Sequence, residues 1–220
     1  MPPFQRKLKT KARSLLEQLR RKAGIIYFDL RNKLKYGSDA PLFMETLWVN
    51  PGEIDTVIGK EEVFNATGLH RSYVSGMIVD WDDVEKPSPL ADEYRMQYCY
   101  KHWKENESWD EIGVIDYMTK SNKYGDWPVE KIRARFQMLD KAFEETKKLG
   151  RLKKRKEIDP DNFREKDGIY VHIAKNGKPV FGGNGFHRLA ISKVLGLEEI
   201  PVCVGMVDKE AIPLLKNYRK

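Results

Sequence analysis

Residues 168–202, from Gly168 to Val202, constrain the fold of this chain more than any other stretch. Ile169, Val171 and Ile173 alternate with Tyr170, His172 and Ala174, the period of a half-buried strand. Lys175-Asn176-Gly177-Lys178 follows, and Asn-Gly is a strong signal for a tight hairpin. Pro179-Val180-Phe181 then returns as the second strand. Gly182-Gly183-Asn184-Gly185 turns the chain into a short helix, with Asn184 expected at its N-cap and Gly196 just beyond its end. Ala190, Ile191, Val194 and Leu195 form the expected apolar side, and Ile200-Pro201-Val202 opens another strand. A glycine turn that opens a helix suits an anion. The backbone approaches closely, free N–H groups point outward at the first turn, and a side chain such as Arg188 adds a bidentate fork. His187 and Arg188 fall in that first turn, with the Arg188 fork expected to point away from the core. A turn that only reverses the chain is the plainer alternative.

At 220 residues the chain is long enough for one sizeable domain with an appendage. The two cysteines, Cys99 and Cys203, are far apart, which fits a reducing, cytoplasmic setting; Cys203 sits in an apolar run that reads as core. The four histidines (His70, His102, His172, His187) form no local cluster, and no metal site is assigned. Charge is unevenly placed. Residues 1–36 hold eleven Lys and Arg against Glu17 and Asp29, a net of +9, so the rest of the chain carries −2 of the total +7. Leu8, Ala12, Leu15 and Leu19 recur at helical spacing, so the first 22 residues read as a basic amphipathic helix. Three uses of this arm, residues 1–36, stay open: packing on its own domain, lying on an anionic membrane, or binding nucleic acid.

Gly37-Ser38-Asp39-Ala40-Pro41 is turn chemistry and marks the start of the main domain, 37–220. Phe43, Glu45, Leu47 and Val49 alternate up to Asn50-Pro51-Gly52-Glu53, a strand closed by a proline turn. Residues 61–78 are similar to a helix-turn-helix, but Phe64 stands where alanine is expected and Gly76 weakens the second helix, which argues against DNA recognition there. Asp80, Asp82 and Asp83 around Trp81 offer either a metal site or, as the simpler reading, turn caps. Residues 88–150 read as a helical insertion. Ile132, Phe136, Leu139 and Phe143 keep a helical period between Pro128 and Gly150. The basic run 151–156 either faces the glycine turn or is solvated. Lys209 to Tyr218 read as a short terminal helix.

Gly185-Phe186-His187-Arg188-Leu189-Ala190-Ile191-Ser192-Lys193, with Leu195-Gly196-Leu197 and Ile200-Pro201-Val202, resembles the signature segment of the ParB/sulfiredoxin superfamily. Partition proteins of that superfamily carry Gly-Glu-Arg-Arg there, sulfiredoxins Gly-Cys-His-Arg, and free serine kinases Gly-His-His-Arg. Residues 76–83 also resemble a segment of uncharacterised ParB-like proteins. The resemblance implies an α+β fold: a small mixed sheet with a helical insertion, and the basic N-terminal helix as an addition. It implies a nucleoside triphosphate, ATP or CTP, bound with magnesium. Gly185, His187 and Arg188 would hold its phosphates, with Gly182, Gly183 and Asn184 in the approach turn. Glu45 or Glu53 would act as catalytic base, on an opening strand packed beside the phosphate turn; for each, a solvated glutamate is the alternative. The implied function is nucleotide binding, with hydrolysis or phosphate transfer to a small hydroxyl compound. A non-catalytic nucleic-acid-binding or membrane-associated protein is the alternative. Phe186 stands in place of the sulfiredoxin cysteine, which takes sulfinic-acid reduction out of the expectation.

Overall fold

The computed structural model describes residues 22–84, 86–121 and 123–220. Helix α1 covers residues 22–36. The strands are β1 (Thr46–Val49), β2 (Thr56–Val57), β3 (Ile78–Val79), β4 (Ser88–Pro89), β5 (Ile169–Ile173), β6 (Pro179–Phe181) and β7 (Ile200–Asp208). The further helices are α2 (Lys60–Thr67), α3 (Tyr94–Glu105), α4 (Val114–Lys120), α5 (Val129–Leu149), α6 (Arg155–Ile158) and α7 (Phe186–Val194). One mixed sheet runs β1-β7-β5-β6-β2-β4, with β3 paired to β7. β5 lies parallel to β7 and β2 parallel to β6, while β1–β7, β5–β6 and β2–β4 are antiparallel. The chain is therefore α+β with a mixed sheet, and α3, α4 and α5 fill the interval between β4 and β5 as expected.

The hairpin forms where Asn176-Gly177 predicts it. Val171 pairs with Phe181 and Ile173 with Pro179, and Gly177 takes φ +80°. The strand is not half-buried, however: every residue of β5 and β7 is buried. Ile169, Val171 and Ile173 pack with residues of α3, α5 and α7 in one cluster. Tyr170, Ala174 and Val180 face a second cluster with Ile58, Val63 and Val74. The alternation is real, but the segment after β2 covers the face that the pattern leaves for water.

That covering segment is not a helix-turn-helix. α2 ends at Gly68 in the left-handed region, and residues Arg71–Tyr73 make only a 3-10 turn. Val74 and Ser75 are buried, and Ser75 Oγ donates to Val204 O at 2.5 Å, so these residues are fixed to β7 and present no recognition helix. Two of the aspartates near Trp81, Asp80 and Asp82, act as cap and ion partners. Asp80 accepts from Asp82 N and pairs with Lys209, Asp82 pairs with Lys175, and the Lys209 ammonium holds the Asp80 carboxyl below its usual range.

A register shift between β5 and β7 falls at Val171/Ile173, opposite Gly205 and Met206. It takes Met206 N–H out of the ladder, and His172 Nδ1 accepts it at 2.8 Å. The imidazole proton therefore sits on Nε2, which is buried and meets no acceptor among the described residues. Burial lowers the His172 pKa from 6.5 to about 3.

Residues 1–21, and with them nearly all of the helix expected over the first 22 residues, lie outside the described part. α1 itself is tied to the domain. Asp29 accepts from Phe43 N (2.7 Å) and from Arg164 (2.8 Å), and Asn32 donates to Pro41 O (3.0 Å) and Gly76 O (2.8 Å).

Candidate phosphate-binding site

The turn after β6 enters α7 through Gly183 at φ +76° and Gly185 at φ +86°, conformations that an L side chain strains to adopt. Gly185, not Asn184, is the N-cap. Asn184 instead holds the turn to the start of β5: its Nδ2 donates to Gly168 O at 2.9 Å, and its carbonyl accepts from Tyr170 N. Leu189 N donates back to Gly185 O. Among the described residues no acceptor faces the N–H of Gly183, Asn184, Gly185, Phe186, His187 or Arg188. Six consecutive donors at a helix start with left-handed turns before it are the backbone arrangement that holds anions.

The glycines also have packing reasons. A Cβ at 182 would lie 2.7 Å from Tyr170 Cδ1 and 2.9 Å from His172 Nε2, and one at 185 would lie 2.8 Å from Ile169 Cα. At 183 it would meet Arg71 Nη1 at 2.8 Å, because that guanidinium donates to Gly183 O at 2.9 Å. Arg71 thus reaches the turn from a segment 112 residues away in sequence.

Two further arginines approach from the helical insertion. Arg95 of α3 lies over the Phe186 ring, 4.7 Å from its centroid. Arg135 of α5 donates to Tyr124 Oη at 3.0 Å. Both act on His187, whose pKa is lowered from 6.5 to about 4, first by burial and then by the Arg135 and Arg95 charges. No carboxylate among the described residues pairs with Arg71, Arg95 or Arg135. Aromatic rings line the same side: Tyr94 packs on Tyr98 and Tyr117 with centroids 5.3 and 4.9 Å apart, and Tyr124 stacks on Trp127 at 5.1 Å.

His187 and Arg188 are placed differently from expectation. His187 Nε2 shares a 2.9 Å hydrogen bond with Tyr98 Oη, and its low pKa leaves the ring neutral at pH 7, so it adds no positive charge. Arg188 points inward. Its Nη2 donates to Lys153 O, and Nη1 stands 3.7 Å from Glu165 Oε1, a carboxylate with no exposed surface. The reason is helix phase. Phe186, Leu189, Ala190 and Ile191 are the buried apolar residues of α7, while Val194 and Leu195 are only half-buried. The buried side extends through Ser192, and Arg188 is drawn into it.

The two expected bases are not brought to the turn. Glu45 gives both oxygens to Arg219, at 2.6 and 3.1 Å, and accepts from Leu42 N. Glu53 is exposed in the 3-10 turn Pro51–Glu53, which meets the far half of α7 where Lys193 donates to Pro51 O. The strand beside the glycine turn is β2, not β1. Val57 pairs with Phe181 and Ile58 N donates to Phe181 O, whereas β1 lies beyond β7. The basic run 151–156 is largely spent on neighbours: Arg151 pairs with Glu157, and Lys153 with Glu145. Among the described residues no three His, Cys, Asp or Glu side chains group as a metal site. Along α3 lies a groove of about 560 Å³, lined by Asp55, Gln97, Tyr100 and Lys101 among others and, from α7, by Lys193.

No protein-family model, curated protein or solved structure matches the chain.

The histidines set a pH dependence. Both His172 and His187 have folded pKa values below 6.5, so the unfolded chain binds more protons between pH 6.5 and about 4. Their stabilisation is present above pH 6.5 and lost as pH falls through that window. Burial raises the Glu165 pKa, which acts with the opposite sign but through one group against two. The urea midpoint should fall on acidification from pH 6.5 to 4, with His187 alone contributing a loss of about 2–3 kcal/mol. His187→Asn should remove part of that slope; an unchanged slope would contradict the burial of this ring in solution.

Proposed function

We propose that the chain is a nucleotide-binding protein of the ParB/sulfiredoxin type, which holds the phosphates of a nucleoside triphosphate, ATP or CTP, at the N-terminus of α7. The observation that carries this is a glycine turn with six consecutive N–H groups that meet no acceptor among the described residues, where Arg71 donates to Gly183 O, Arg95 lies over Phe186 and the Arg135 charge acts on His187. None of the three pairs with a carboxylate among the described residues, and each offers a planar fork to phosphate. Tyr94 and Tyr117 beside them, both partly exposed, give a base a surface to stack on. Binding does not need Glu45 or Glu53, and no step is assigned to either. Magnesium would travel with the nucleotide, since no described carboxylate group offers it a site. Phosphate transfer to a small hydroxyl compound is the second reading, favoured by the groove of about 560 Å³ along α3, which reaches α7 at Lys193.

Thermal unfolding with ATP, CTP, GTP and ADP, each with magnesium, tests the proposal. A ligand at a hundred times its Kd adds about 2.7 kcal/mol to the folded state, a clear rise in Tm. At least one triphosphate should produce it. Flat melting curves with all four at millimolar concentration would remove the proposal.

A further inference from the structure

Helix α1 is built the wrong way round for a helix that only packs on its own protein. The half-buried and buried positions are Ile25, Phe28, Asp29, Asn32 and Tyr36, and the polar pair Asp29 and Asn32 makes the hydrogen bonds to the domain. Large apolar residues face outward instead. Ile26 is 59%, Tyr27 69%, Leu30 55% and Leu34 88% exposed. At 3.6 residues per turn these four, with Ala23, occupy a sector of about 100°, opposite the side that docks. Cations flank the sector on both edges: Lys22 and Lys33 on one, Arg31 and Lys35 on the other. None of the four makes an ion pair among the described residues.

We infer that this face is a docking surface for an anionic membrane. An apolar stripe between two rows of cations is the pattern of a helix that lies in the lipid interface, apolar side among the acyl chains and cations at the headgroups. The sequence continues it, since Leu8, Ala12, Leu15 and Leu19 repeat the spacing within an arm of net charge +9. That charge opposes a second copy of the same face. A nucleic acid backbone would satisfy the cations but offers the leucines nothing to bury against. No helix among the described residues is long and apolar enough to cross a bilayer, and the proposed mode is surface attachment through this face. The inference is independent of nucleotide binding.

Cosedimentation of the full chain with vesicles tests it. The protein should pellet with phosphatidylcholine vesicles that contain phosphatidylglycerol, and much less with phosphatidylcholine alone. Leu30→Glu with Leu34→Glu should weaken vesicle binding at least tenfold while leaving Tm unchanged, because both side chains are exposed. Pelleting that survives the double substitution would overturn the inference, as would no pelleting of the original chain. Salt-sensitive retention of random-sequence DNA without vesicle binding would assign the surface to nucleic acid. A dimer dispersed by the same substitutions, again without vesicle binding, would assign it to self-association.

Discussion

Arg188→Ala should destabilise the protein by about 3–5 kcal/mol, the cost of leaving one member of a buried ion pair unpartnered. In a chain of this length that lowers Tm by roughly 6–20 °C. Glu165 is fully buried, accepts from Arg155 N at 3.1 and 3.2 Å, and faces the Arg188 guanidinium. Burial raises the Glu165 pKa, with Arg155 N–H and Arg188 opposing it. It also lowers that of Arg188 to about 10, so the arginine stays charged at pH 7. Without Arg188 the carboxyl would be driven further toward its neutral form. The variant should therefore lose most stability above the usual carboxylate range, where Glu165 must either ionise alone or hold a proton. Glu165→Gln with Arg188→Met should recover much of the loss, since two uncharged groups need no mutual compensation. A wild-type melting curve for Arg188→Ala, combined with a tenfold loss of nucleotide affinity, would return Arg188 to the phosphate-binding role that its position in the first turn suggests.

That reversal shows where sequence reasoning reaches and where it stops. Local chemistry was readable. Asn176-Gly177 made its hairpin, Pro128 and Gly150 bracket α5, and Gly196 takes a left-handed φ of +61° after α7. Each of these depends on a residue's own backbone preference. Contacts made at long range were not readable. Nothing near Arg71 in the sequence indicates that it reaches Gly183, and nothing near Arg188 indicates Glu165, 23 residues earlier and folded beneath it. The helix phase of α7 also hid its second buried flank, because the apolar residues Val194 and Leu195 drew the expected face toward the C-terminal end. The glycines misled in a subtler way. Gly182 reads as a phosphate approach, yet its missing side chain is also what admits Tyr170 and His172. For Glu45 the opening strand is shorter than the alternation suggests: β1 covers only Thr46–Val49, Glu45 precedes it, and the sheet order sets β1 beyond β7 and gives β2 the place beside the turn.

The arginines that the sequence did not single out carry the second large effect. Arg95→Ala with Arg135→Ala removes two cations from the α7 N-terminus without breaking any ion pair of the described residues. Arg95 is half-buried against Phe186, and Arg135 is exposed beside Tyr124. Their loss should leave Tm within a few degrees of the original. A charge-assisted contact to phosphate contributes about 1.5–3 kcal/mol, so two lost contacts weaken affinity by at least about a hundredfold. The pKa of His187 supplies an internal control. With both neighbouring charges removed it should rise from about 4, while burial still holds it below 6.5. The decisive measurement is a calorimetric titration of the original chain and of this double variant with the triphosphate that gives the largest thermal shift. The account predicts a saturable isotherm for the original chain, and for the variant an affinity at least a hundredfold weaker with the fold intact. Equal affinities in the two proteins would place the phosphates elsewhere and contradict it.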